Sequence, residues 1–99
     1  MAESAKQQAK RLLADVPDEF VFRLGDSRVL RNMKELASEL RNMSDETYAY
    51  YVNAEKNDFV NWVRDVIKDD VVVKDLQKAP NRAQAANAVA NRVASLAKK

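Results

Sequence analysis

The sequence predicts a mainly α fold: a small bundle of about five helices with a short β-hairpin near residues 20–30. Three observations point there. Apolar residues recur at three- and four-residue steps over most of the chain, in segments that open on Asn, Ser or Asp. The period drops to two only around Phe20, Phe22 and Leu24. The 99 residues include one glycine and two prolines, so little interrupts a helical pattern. Such a length suits one domain, read here as a helical core with its hairpin over 15–79, a basic N-terminal helix over 1–14 and a basic, Ala-rich C-terminal helix over 81–99.

Each element has its own signal. Over residues 3–14, Ala5, Ala9, Leu12, Leu13 and Val16 share a face, and Lys6, Gln7, Lys10 and Arg11 lie largely off it. Pro17 ends that helix by forcing the preceding residue out of the α region. Phe20, Phe22 and Leu24 form a strand, Gly25-Asp26-Ser27 a turn in which Gly25 can take positive φ, and Arg28-Val29-Leu30 the return strand. Asn32 is the expected cap of the next helix, with Glu35 in a capping-box position and Met33, Leu36, Ala37, Leu40 and Met43 as its apolar stripe. Ser44 opens a third helix, with Asp45 and Glu46 at the positive end of its dipole. Residues 53–58 are polar and read as a break, with Asn57 or Asp58 capping a fourth helix. In that helix Phe59, Trp62, Val63, Val66 and Ile67 make the strongest amphipathic stripe, with Trp62 expected at the centre of the core. Asp69-Asp70 cap a helix through Val72, Leu76 and Ala79, despite three consecutive valines. Pro80 ends it, and Asn81 caps an uninterrupted Ala-rich helix over 82–97.

Composition excludes several chemistries. With no Cys and no His, the chain has no disulfide, thiol nucleophile, Cys/His zinc site or histidine base. A single glycine cannot build a phosphate loop or dinucleotide fingerprint. The acids Asp65, Asp69 and Asp70 lack a calcium-loop glycine and read as caps; Ser, Thr and Lys residues lack an activating base. No enzyme activity, cofactor or metal is therefore expected, and no small-molecule substrate is indicated. The N-terminus has no signal-peptide core and no apolar run approaches a membrane span, so a cytoplasmic location is expected.

The net charge of +2 conceals an uneven distribution. Residues 1–14 carry Lys6, Lys10 and Arg11 against Glu3, and residues 81–99 carry Arg82, Arg92, Lys98 and Lys99 with no acid, which leaves the centre acidic.

The most distinctive stretch runs from Tyr48 to Ile67. A Ser-Asp-Glu cap at 44–46 precedes a block with Asn57, Asp58, Phe59, Trp62, Val63 and Asp65 in the pattern Asn-Asp-Phe-x-x-Trp-Val-x-Asp. Over about residues 20–78 this resembles a widespread prokaryotic, frequently archaeal, family of small domains of unknown function. The resemblance implies an extended segment, a Gly/Asp turn and then helices; it implies no activity. Tyr51 stands where that family commonly has His, which weighs against a metal or acid–base role, and Lys68 stands where Gly is common.

The aromatic and capping residues of this block read first as core and caps. Its remaining residues, Tyr50, Glu55, Lys56, Asn61 and Arg64, form a candidate recognition surface. The basic ends offer Lys6, Lys10, Arg11, Arg82, Arg92, Lys98 and Lys99 as candidate phosphate contacts, against which stand the small net charge and the lack of an aromatic to stack on bases. Ala86, Val89, Val93 and Leu96 recur at steps of 3, 4 and 3, a stripe expected to mediate self-association. The expected function is a non-enzymatic binding or assembly module with a protein partner or a second copy. A DNA-binding, nucleoid-associated protein is the alternative, an enzyme ranks third, and the Ala-rich faces disfavour a membrane surface.

Overall fold

A polar side chain marks the start of every helix. In the computed structural model, which describes residues 4–25 and 28–99, six helices each begin on a Ser, Asn or Asp that accepts a hydrogen bond from a backbone N–H of the first turn. Ser4 caps α1 (Ala5–Leu13), Asn32 caps α2 (Met33–Asn42) and Ser44 caps α3 (Asp45–Tyr51). Asn57 caps α4 (Asp58–Trp62), Asp69 caps α5 (Asp70–Lys78) and Asn81 caps α6 (Arg82–Ala97). The fold is thus mainly α with a small hairpin, as the sequence predicts. Two local details differ. At α1 the cap is a full capping box, in which Gln7 N donates to Ser4 Oγ at 3.1 Å and Ser4 N donates to Gln7 Oε1 at 3.0 Å. Glu35 reaches one residue further back than a capping box requires and accepts from Arg31 N at 2.7 Å.

Between α1 and α2 the chain makes a 3-10 turn over Asp18–Phe20 and a two-stranded antiparallel hairpin. Strand β1 (Phe22–Arg23) pairs with β2 (Val29–Leu30) in the register Phe22 with Leu30 and Arg23 with Val29. Positions 26 and 27 of the expected turn lie outside the described residues. Gly25 is not at positive φ, and a Cβ added there would meet only Tyr51 Oη at 3.7 Å. The left-handed conformation falls instead on Lys68, at φ 67° and ψ 43°. There the helix begun by α4 widens into a π turn over Val63–Ile67, closed by Lys68 N donating to Val63 O at 2.6 Å.

Two sub-cores meet in this fold. One lies between α2 and α6, where Met33, Leu36, Leu40, Ala85, Ala86, Val89 and Leu96 are fully buried. Arg82, in the first turn of α6, donates to the carbonyls of Leu40 and Arg41 in the last turn of α2, so the two helices run antiparallel. At about 1.5 Å per residue, the 16-residue α6 outruns the 10-residue α2, and α6 also packs on α1 and α5. The terminal helices are therefore not appendages to a domain over 15–79: Ala9 and Leu12 of α1 and four residues of α6 are buried in the same core as α2.

The other sub-core is aromatic. Phe22 stacks on Phe59 at 5.0 Å and meets the rings of Tyr51 and Trp62 edge-on at 5.5 and 6.0 Å; Tyr48 and Tyr51 also pack on Phe59. Phe59, at 1% exposure, is the hub of this cluster, while Trp62, at 7%, lies at its edge and donates Nε1–H to Phe20 O at 2.7 Å. That bond explains the correction to the sequence expectation: an indole whose N–H must find a partner settles beside a backbone carbonyl, and the purely apolar ring takes the centre. Among the described residues no helix is long and apolar enough to cross a membrane.

Candidate interaction surface

Helix α3 delivers two adjacent tyrosines to opposite environments. Tyr51 is buried, and its hydroxyl accepts from Gly25 N at 2.9 Å, tying the helix to the end of β1. Tyr50, one residue earlier, is 71% exposed, the largest exposure among the large apolar side chains of the described residues. The two rings meet edge-on at 5.0 Å.

The loop after α3 is fixed by its own polar groups. Val52 and Asn57 bridge across it, Asn53 N donates to Lys56 O at 2.9 Å, and Asn53 Oδ1 accepts from the backbone N–H of Glu55 and of Lys56. This turn carries Lys56 back over Tyr50, with Nζ 5.5 Å from the ring centroid and 3.0 Å from Asp58 Oδ2.

Four of the five candidate recognition residues, Glu55, Lys56, Asn61 and Arg64, line one shallow groove floored by Val60 and Leu76. Tyr50 lines a neighbouring pocket, and Lys56 links the two. Arg64 bonds Asn61 Oδ1 at 3.1 Å and both carboxylate oxygens of Asp65. The Asp65 carboxylate holds the Arg64 guanidinium above its ordinary pKa, and hydrogen bonding from Arg64 holds Asp65 below the usual carboxylate range. Both groups are exposed, so salt screens the pair. Deeper in the same end of the molecule, burial pushes the Tyr48 phenol up.

The basic residues of the chain ends divide. Lys6, Lys10, Arg11, Lys98 and Lys99 are exposed. Arg82 and Arg92, two of the expected phosphate contacts, have partners within the chain. Arg82 donates to Asp45 Oδ1 at 2.8 Å and to two α2 carbonyls at 2.9 Å. Arg92 Nε donates at 2.8 Å to Asp69 Oδ2, with side-chain exposures of 13% and 1%. Asp69 therefore caps α5 with one oxygen and locks α6 with the other, a second role that its place at a helix start does not suggest. The stripe expected to self-associate faces inward. Ala86, Val89 and Leu96 are buried against the chain's own helices and Val93 is half-buried on the same core, because α2 offers a complementary apolar face within the chain.

No buried side-chain nitrogen or oxygen among the described residues lacks a hydrogen-bond partner. No group of three or more Asp, Glu, His or Cys among them could hold a metal ion. Comparison with protein families, with curated proteins and with solved structures gave no match.

Proposed function

We propose that the protein is a non-enzymatic binding module whose contact face is the α3–α4 end, centred on Tyr50 with Lys56, Glu55, Asn61 and Arg64 around it. The observation that carries this reading is the contrast within the aromatic cluster. Phe22, Tyr48, Tyr51, Phe59 and Trp62 fill its interior or edge, yet Tyr50 stands 71% exposed on a short, well-capped helix. A rigid aromatic ring with a polar tip, held at little cost in conformational entropy, is a typical anchor at protein interfaces. A photoreactive phenylalanine analogue at position 50 tests this in the cell, with the same analogue at Lys34 on the exposed face of α2 as control. A discrete adduct from position 50 alone supports a specific partner, and an adduct of twice the chain mass makes that partner a second copy. No discrete adduct, or the same bands from both positions, removes the reading.

The DNA-binding alternative keeps one supporting observation: α1 packs on α6, so the two helices at the basic chain ends are neighbours. Lys6, Lys10, Lys98 and Lys99 are the charges left to it once Arg82 and Arg92 are engaged internally. A gel shift on random duplex that weakens steeply with salt favours this alternative, and no shift at low salt eliminates it.

A further inference from the structure

The pocket beside Tyr50 has a chemistry of its own. It is lined by Leu24, Arg28, Glu46, Thr47, Tyr50 and Tyr51. Two of these carry charge, and they differ. Arg28 is engaged by Glu39, its Nη1 lying 2.9 and 2.8 Å from the two carboxylate oxygens. Glu46 makes no side-chain hydrogen bond or ion pair among the described residues. The uncompensated charge of the pocket is therefore negative. Glu46 lies one helical turn before Tyr50, so carboxylate and ring share a face of α3. The ring already receives a cation, since the Lys56 ammonium sits over it. Lys56 is paired with Asp58 and lines the adjoining groove, so it does not neutralise Glu46.

We infer that this pocket seats a basic side chain, an arginine or lysine within an extended segment of a partner protein. The cationic head lies in the pocket between the Glu46 carboxylate and the Tyr50 ring. The aliphatic stem lies against Leu24 and the Tyr51 ring. An acidic segment would meet Glu46 as a like charge and gain nothing from the ring quadrupole. The inference rests on the proposed binding role of this face and supplies the partner chemistry.

The test is an amide chemical-shift titration of the isotope-labelled full chain with tetra-arginine amide and, separately, with a tetra-glutamate peptide. Saturating shifts at Gly25, Thr47, Tyr50 and Tyr51 with the arginine peptide alone are expected. Glu46→Gln and Tyr50→Ala, both at exposed positions, should each weaken that binding about two- to fivefold, while Lys56→Ala should leave it unchanged or tighten it. No saturating shift, equal response to the glutamate peptide, unaltered affinity in Glu46→Gln and Tyr50→Ala, or loss of binding in Lys56→Ala each overturns the inference. A discrete photoadduct from position 50 together with a silent arginine titration would reject the basic partner and leave the binding role standing. Arginine binding without a photoadduct would leave a cation-accepting pocket with no cellular partner, which overturns the binding role and the inference that rests on it.

Discussion

The α2–α6 interface and the aromatic end around α3 and α4 hold the same chain together by different means. On the first, the small side chains of α6 let two helices approach closely but bury little area each, and arginines fasten α6 to its neighbours: Arg82 onto the last carbonyls of α2 and Arg92 onto Asp69 at the start of α5. On the second, five aromatic rings bury large area with, among the described residues, two polar contacts, from Trp62 to Phe20 O and from Gly25 N to Tyr51. A side fastened by charge uses its arginines up internally. A side fastened by area can leave one ring outward, and Tyr50 is that ring. The comparison moves the proposed contact face from the basic ends, where the composition draws attention, to the opposite kind of surface.

Mutations at the two sides should therefore fail differently. Arg92→Ala leaves the Asp69 carboxylate buried and unpaired, and should cost about 3–5 kcal/mol in chemical denaturation. Combining Arg92→Met with Asp69→Asn, which keeps an N-cap, should recover part of that loss; equal stability of the single and double variants would show that the ion pair is not what the residues contribute. Phe59→Ala should cost a similar ~3–5 kcal/mol with no rescue by charge changes, because the loss is a cavity at the hub of the cluster. A smaller effect than at Trp62→Ala would move the centre of the cluster back to the indole.

Smaller effects test local geometry. Lys68→Gly should stabilise by about 0.5–1 kcal/mol, since only glycine adopts the left-handed conformation without a Cβ penalty. Gly25→Ala should be tolerated for the converse reason. An unchanged or lower melting temperature in Lys68→Gly would mean that the lysine side chain supplies something its backbone conformation does not reveal. Tyr50→Ala should shift stability least, within about 0.5 kcal/mol. A large loss there would make Tyr50 a structural residue and weaken its standing as a contact.

The parts of this fold that are legible are those set by neighbours in sequence. Asn32, Ser44, Asn57, Asp69 and Asn81 cap helices because the groups they satisfy lie two or three residues on, and the stripes of α2 and α5 come from helical periodicity alone. Ser4 and Gln7 spell a capping box of the same kind, which a helix start placed at residue 3 passes over. Partners set by the tertiary fold are not legible. Asp45 lies 37 residues from Arg82 and Asp69 lies 23 from Arg92, and one chain without its fold gives no sign that they meet. The stripe of Ala86, Val89, Val93 and Leu96 announces burial without saying against what. At the candidate site, the exposure of Tyr50 and its grouping with neighbours of mixed charge come from phase on α3. The loop that returns Lys56 to its ring depends on Asn53 bonding two backbone amides, which sequence spacing alone does not suggest.

The claim that most depends on the comparison is that α6 completes the core and is not an assembly arm. Thermal unfolding of a chain ending at Lys78, followed by circular dichroism beside the full chain, tests it directly. Loss of α6 uncovers Met33, Leu36 and Leu40 and strips Asp69 of its arginine, so the shortened chain is expected to show no cooperative transition. A cooperative transition close to that of the full chain, with the helicity of α1 to α5 retained, would contradict it and return the C-terminal helix to the role of a free arm.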